Sequence, residues 1–112
     1  KPVYVLTSPQ TGSAAETFSL ATIALPHVKR IGSNTQGATS TALEKKLPNG
    51  WGFSISNEVF MDINGVCHEN NGVPPDHKLG YSRERQTFFR KVASDLHRDK
   101  RQVLNAIKEL EK

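Results

Sequence analysis

The run Pro2-Val3-Tyr4-Val5-Leu6 leads into the turn Thr7-Ser8-Pro9-Gln10-Thr11-Gly12-Ser13. From Ala14 to Leu25 the chain is then almost continuously apolar or small, until Pro26 stops it. β-Branched and aromatic residues favour a buried strand, and the proline-closed apolar segment reads as a buried helix. His27-Val28-Lys29-Arg30-Ile31-Gly32 offers a second short strand. Strand, helix and strand make a βαβ unit, which requires a parallel pair joined by a right-handed crossover. The expected class is therefore α/β.

Within that unit Ser13 stands where strand turns into helix, behind Gly12. A serine there can point its hydroxyl into a cleft while the first N–H groups of the helix face a developing oxyanion. Ser13-x-x-Glu16 is equally a capping box, each side chain satisfying a backbone N–H of the first turn. No glycine lies two residues before or after Ser13, so the nucleophile-elbow pattern is absent. Local pattern leaves both readings open.

Residues 33–40 are rich in Ser, Thr, Asn and Gly and read as a loop. Following the second strand, this loop emerges at the same sheet edge as the Ser13 turn, where α/β folds place ligands. Thr35 and Gly37 are thus possible lining of a substrate cleft, or part of a plain polar connector. Pro48-Asn49-Gly50 marks a turn before the alternating strand Trp51-Gly52-Phe53-Ser54-Ile55-Ser56. Residues 58–63 and 66–69 flank Asn64-Gly65, which predicts a hairpin. From Ser82 onward two apolar stripes, one through Phe88, Val92 and Leu96 and one through Val103, Ile107 and Leu110, predict two helices. The capping pair Asp99 and Gln102 puts their junction near His97–Asp99.

The net charge of +4 and pI near 9.4 come largely from Lys and Arg after Arg83. No aromatic-rich platform accompanies that base, so a solvated helical face is expected and a nucleic-acid partner is not. Cys67 is the only cysteine, which excludes an intrachain disulfide. No apolar run is long enough for a membrane-spanning helix. The chain opens directly on a strand with no leader, as expected of a piece of a longer polypeptide. Cys67, His68, Glu69, Asp76 and His77 lack the spacing of known zinc motifs, so neither metal nor cofactor is expected. Alternation places His68 on the opposite strand face from Cys67 and Glu69. His68 is a weak candidate as base for Ser13. Glu69 ends a strand before the rigid Gly72-Val73-Pro74-Pro75-Asp76 loop, where a carboxylate can orient a histidine or a water.

Five motifs occur in order: Lys1-Pro2-Val3-Tyr4-Val5-Leu6-Thr7-Ser8; Thr11-Gly12-Ser13-Ala14-Ala15-Glu16; Ile31-Gly32-x-x-Thr35-x-Gly37; Leu47-Pro48-Asn49-Gly50-Trp51; and Glu69-x-x-Gly72-Val73-x-Pro75-Asp76. The series resembles the C-terminal half of the peptidase domain of the tail-specific, or C-terminal processing, serine peptidases, the family that includes the tricorn core protease. The resemblance implies a ClpP/crotonase-like α/β fold with a βαβ unit, a β-hairpin region and C-terminal helices. It divides the chain into a catalytic portion, residues 1–81, and C-terminal helices, residues 82–112. It also implies peptide-bond hydrolysis, with Ser13 as nucleophile and the backbone N–H of Ala14 as an oxyanion donor. Many members use a Ser–Lys dyad, but the lysine position is Ala38 here, and Lys45 and Lys46 lie too far along. The resemblance is therefore closer to the tricorn-like Ser–His–Glu branch, with the acid at Glu69. The histidine and the second oxyanion donor would lie upstream, leaving this chain silent alone. Peptide or protein substrates, a periplasmic or secreted location and possible homo-oligomerisation complete what it implies. Two other readings stay open, a non-catalytic ligand carrier of the same fold and an interaction module docking through its basic helices.

Overall fold

The computed structural model describes all 112 residues. The expected βαβ unit forms: β1 (Val3–Thr7), α1 (Ala14–Ala21), a 3₁₀ turn (Thr22–Ala24) and β2 (Val28–Gly32). β1 and β2 are parallel, with Val3 opposite Val28 and Thr7 opposite Gly32. Gly32 closes β2 at φ +138°, and a Cβ there would lie 1.8 Å from the Thr7 carbonyl oxygen. Only glycine lets the two strands end so close together. α1 is less buried than its composition predicts. Phe18 and Leu25 are exposed, while Glu16, Ser19 and Leu20 face inward.

β3 (Ala42–Lys46) and β4 (Gly52–Ser56) pair antiparallel across the Pro48-Asn49-Gly50 turn as a separate two-stranded sheet. Leu43, Phe53, Ile55 and Trp51 remain exposed on it, Trp51 to 72%. The Asn64-Gly65 turn does form, but not the hairpin predicted around it. One isolated bridge, Met61 to Cys67, replaces the two strands. The Asp62 side chain explains this, because its Oδ1 accepts the N–H groups of Asn64 and Val66 at 2.8 and 3.0 Å. Such side-chain capture of backbone donors competes with a strand ladder.

The chain then returns to the first sheet. β5 (His77–Lys78) adds parallel to β2, giving the order β1-β2-β5. Arg30 and Asp76 fix that return: the Arg30 guanidinium donates to Asp76 Oδ1 at 2.9 Å and the Arg30 N–H to Oδ2 at 2.6 Å. α2 (Arg85–Ser94) and α3 (Leu96–Leu110) follow. Their junction falls at Asp95 rather than near His97–Asp99. Asp95 caps α3 by accepting the Arg98 N–H at 2.7 Å, whereas Asp99 lies inside the first turn and accepts the Tyr81 hydroxyl at 2.7 Å. α3 reaches the sheet through buried Ala106 and through Tyr4, whose hydroxyl donates to Glu111 at 2.8 Å. No helix is long and apolar enough to cross a membrane.

Ile31, Val73, Val28, Leu20 and Ala106 form the small apolar core. The Cα radius of gyration is 16.7 Å, against about 13 Å for a compact domain of this length. Much apolar surface on the hairpin and on α1 thus finds no cover within these residues.

Candidate active site

The turn after β1 is built by its own polar groups. Ser8 donates its N–H to Thr11 Oγ1 at 3.1 Å, and Gln10 donates its N–H to Ser8 Oγ at 3.2 Å. The turn ends at Ser13 with φ 54° and ψ −126°, a region that residues bearing a Cβ rarely occupy. Such conformations persist only where surrounding contacts enforce them.

Glu16 supplies those contacts. Its side chain is fully buried, and the carboxylate accepts three backbone N–H groups: Ser13 at 3.2 Å, Gly37 at 2.6 Å and Ala38 at 2.8 Å. The Ser13 N–H also points to the Ala38 carbonyl at 3.2 Å, and Gln36 donates its N–H to the Thr11 carbonyl at 2.8 Å. The Ser13 turn therefore rests on residues 36–38 along its whole length. Ser13 and Glu16 are arranged as a capping box, but the serine hydroxyl forms no cap hydrogen bond. The Glu16 N–H goes instead to the Ser13 backbone carbonyl at 2.8 Å. The serine stays exposed, its side chain on the capping-box side of the first turn. The next N–H, that of Ala14, has no backbone acceptor.

Thr35 and Gly37, expected as possible cleft lining, are internal. Thr35 is fully buried, its hydroxyl oxygen accepting the Val73 N–H at 2.7 Å. Gly37 adopts φ +84°, and a Cβ there would sit 2.7 Å from the Asn70 carbonyl carbon. Both brace the crossing of residues 35–37 with residues 70–73. Sequence reasoning missed this use of Glu16. Its acidic character at the third helical position was visible, but its partners at Gly37 and Ala38 are remote in the chain.

Glu69 is joined to the same strut. Its Oε2 accepts the Thr39 N–H at 2.9 Å and the Thr39 hydroxyl. The Thr39 side-chain hydrogen bond, followed by the backbone one, holds the Glu69 carboxyl below its ordinary range. Ser13 hangs on Ala38 and Glu69 on Thr39, consecutive residues, with no hydrogen bond between the two side chains. His68 is buried and does not meet Ser13. Its Nε2 lies 2.9 Å from Asp62 Oδ2, and that hydrogen bond, with the Val66 and Asn64 N–H groups, lowers the Asp62 carboxyl. Asp76 is held by Arg30, and His77 Nδ1 lies 3.6 Å from Glu109. The titratable residues of this region thus serve separate partners.

The sequence profile described as Peptidase family S41 matches residues 1–79. The chain belongs to peptidase family S41. Among solved structures, this S41 chain is similar to mature CPAF complexed with lactacystin, with 22% identity, a TM-score of 0.70 and 97% of the chain covered. It is also similar to a putative peptidase from Parabacteroides merdae, with 29% identity, a TM-score of 0.65 and 84% covered. The photosystem II D1 C-terminal processing protease matches with 24% identity and a TM-score of 0.62 over 80% of the chain. These likenesses confirm the mixed α/β fold. The chain spans only 21%, 31% and 24% of the three structures, respectively. No curated protein sequence matches it.

Proposed function

We propose that the chain is the nucleophile-bearing part of a serine peptidase of the tail-specific type, hydrolysing peptide bonds with Ser13. One observation carries this reading: an exposed serine on an enforced, unfavourable backbone, directly before an N–H with no backbone acceptor. Enforced strain of that kind concentrates where a side chain must be presented for chemistry. In the proposed reaction Ser13 Oγ attacks the scissile carbonyl carbon and gives its proton to a base. The Ala14 N–H stabilises the oxyanion, collapse of the tetrahedral intermediate expels the amine with the proton held by that base, and water then attacks the acyl group to release it from Ser13.

Position 38 favours the Ser–His–Glu branch. Its backbone accepts the Ser13 N–H, so a lysine there would stand beside the nucleophile, and the residue is alanine. Glu69, kept ionised by Thr39, is the proposed acid that orients an upstream histidine. Residues 1–81 then form the catalytic portion, with residues 82–112 packed on it. Peptide or protein substrates, a periplasmic or secreted location and possible homo-oligomerisation go with this reading. Loss of one triad member costs on the order of 10⁴ in rate, so these residues alone are expected to be silent.

Fluorophosphonate labelling read by intact mass tests the proposal. The full-length protein should gain one adduct that Ser13→Ala abolishes, while residues 1–112 alone stay unlabelled. A folded full-length protein that takes no label at Ser13 would remove the peptidase reading and favour a non-catalytic binding module.

A further inference from the structure

The three parallel strands end together, and beyond their carboxyl ends lies a cleft of about 370 Å³. Pro9 lines it from the turn after β1, Ser33 and Asn34 from the loop after β2, and Asn71 from the loop before β5. Lys78 and Arg83 complete it from β5 and the segment leading to α2. Open α/β sheets bind ligands in this position.

Several polar groups in the walls are engaged, while the Asn70 and Asn71 side-chain amides hold no protein partner. The Ser33 hydroxyl donates to the Leu79 carbonyl and accepts the Tyr81 N–H, and the Asn34 amide donates to the Asn71 carbonyl at 3.1 Å. The charge in the lining is wholly positive. Neither Lys78 nor Arg83 has a carboxylate within ion-pair distance, and no Asp or Glu lines the cleft. By contrast Arg30, near the opposite edge of β5, is neutralised by Asp76. Two unpaired cations facing a concave polar space raise the local potential and select an anion. The cleft also joins the Ser13 turn. Pro9 belongs to that turn, and the Gln10 side chain donates to the Arg83 carbonyl at 3.2 Å.

We propose that this cleft is a carboxylate subsite, holding an acidic group of the bound peptide through Lys78 and Arg83. The inference rests on the peptidase reading of Ser13 for its ligand class. A peptide offers that carboxylate from two sources, an Asp or Glu side chain or its own C-terminus, and the same two cations suit either.

The test uses full-length protein carrying Ser13→Ala, so that bound peptide survives, and fluorescein-labelled decapeptide pools followed by anisotropy. One pool has a fixed Glu and an amidated end, a second has Gln and a free C-terminus, and a third has Gln and an amidated end. One of the first two should bind about five- to thirtyfold more tightly than the neutral third. Which one does so identifies the source. The preference should vanish in Lys78→Glu/Arg83→Glu, and in Lys78→Met/Arg83→Met should the reversal prevent folding, and it should shrink with added salt. Equal binding of all three pools, binding by none, or a preference that survives both double variants overturns the subsite. Fluorophosphonate labelling of the wild type separates the two readings. A carboxylate preference without labelling keeps the cleft and discards the peptidase, and labelling without a preference does the reverse.

Discussion

Replacing Glu16 by alanine should both destabilise the full-length protein and disarm Ser13. The Gly37 and Ala38 N–H groups have the fully buried Glu16 carboxylate as their acceptor, at 2.6 and 2.8 Å, the first bond buried and the second part-buried. The Ser13 N–H retains the Ala38 carbonyl. One buried donor and one part-buried donor are therefore orphaned, the first at about 1–3 kcal/mol and the second at less, so the substitution should cost roughly 2–4 kcal/mol. That is a large share of the 5–15 kcal/mol typical of a folded domain (order of magnitude). Glu16→Gln keeps one acceptor oxygen but turns an amide N–H toward a backbone donor, and should cost an intermediate amount. Urea unfolding followed by circular dichroism measures both differences from the midpoints at constant slope. The rate of fluorophosphonate labelling reads the site, and it should fall in the same order. A Glu16→Ala protein within about 1 kcal/mol of wild type and labelled at the wild-type rate would refute the argument. The turn would then be held by its backbone alone.

Ser13→Gly should be more stable than Ser13→Ala by about 1–2 kcal/mol, because φ 54° combined with ψ −126° suits glycine, while neither variant takes the label. Equal melting temperatures would show that the backbone relaxes freely. Gly32→Ala should cost at least about 3 kcal/mol, since the new Cβ would collide with the Thr7 carbonyl oxygen, and a melting temperature unchanged within error would contradict that close approach. For Glu69 the carboxyl is depressed in the folded state, so its contribution is present above the ordinary carboxylate pKa and is lost as pH falls through the folded value. Thr39→Val should raise the Glu69 titration midpoint in carboxyl NMR and reduce stability near neutral pH. The gap from wild type should close in acid, and an unmoved midpoint would refute the assignment.

The sequence discloses local order well and remote partners poorly. The β1–α1–β2 unit was legible because strand and helix each carry their own periodicity and Pro26 separates them. The turn around Pro48-Asn49-Gly50 was equally plain. The Asn64-Gly65 turn does not grow into a hairpin because Asp62, two residues earlier, takes the Val66 N–H that a ladder would use. Two aspartates competed to start α3. Asp95 prevailed once Tyr81, 18 residues before Asp99, engaged the other, a contact no local rule contains. At the site, Ser13 and its turn could be located from residues 1–16, and so could the acid at position 16. Glu16's bonds to Gly37 and Ala38, and those of Thr39 to Glu69, cross 21 to 30 residues, so the shared strut became visible only in three dimensions.

Those remote bonds also set an order of assembly. Ser13 leaves the ribosome well before Gly37 and Ala38, and until they dock no carboxylate–amide contact can hold its backbone at positive φ. An emerging chain has no reason to keep so unfavourable a conformation, and its serine relaxes to an ordinary one. The presented conformation of Ser13 thus arrives with tertiary structure rather than with the residue itself. The nucleophile proposed at Ser13 would accordingly be absent from the nascent chain and lost again on partial unfolding of the loop.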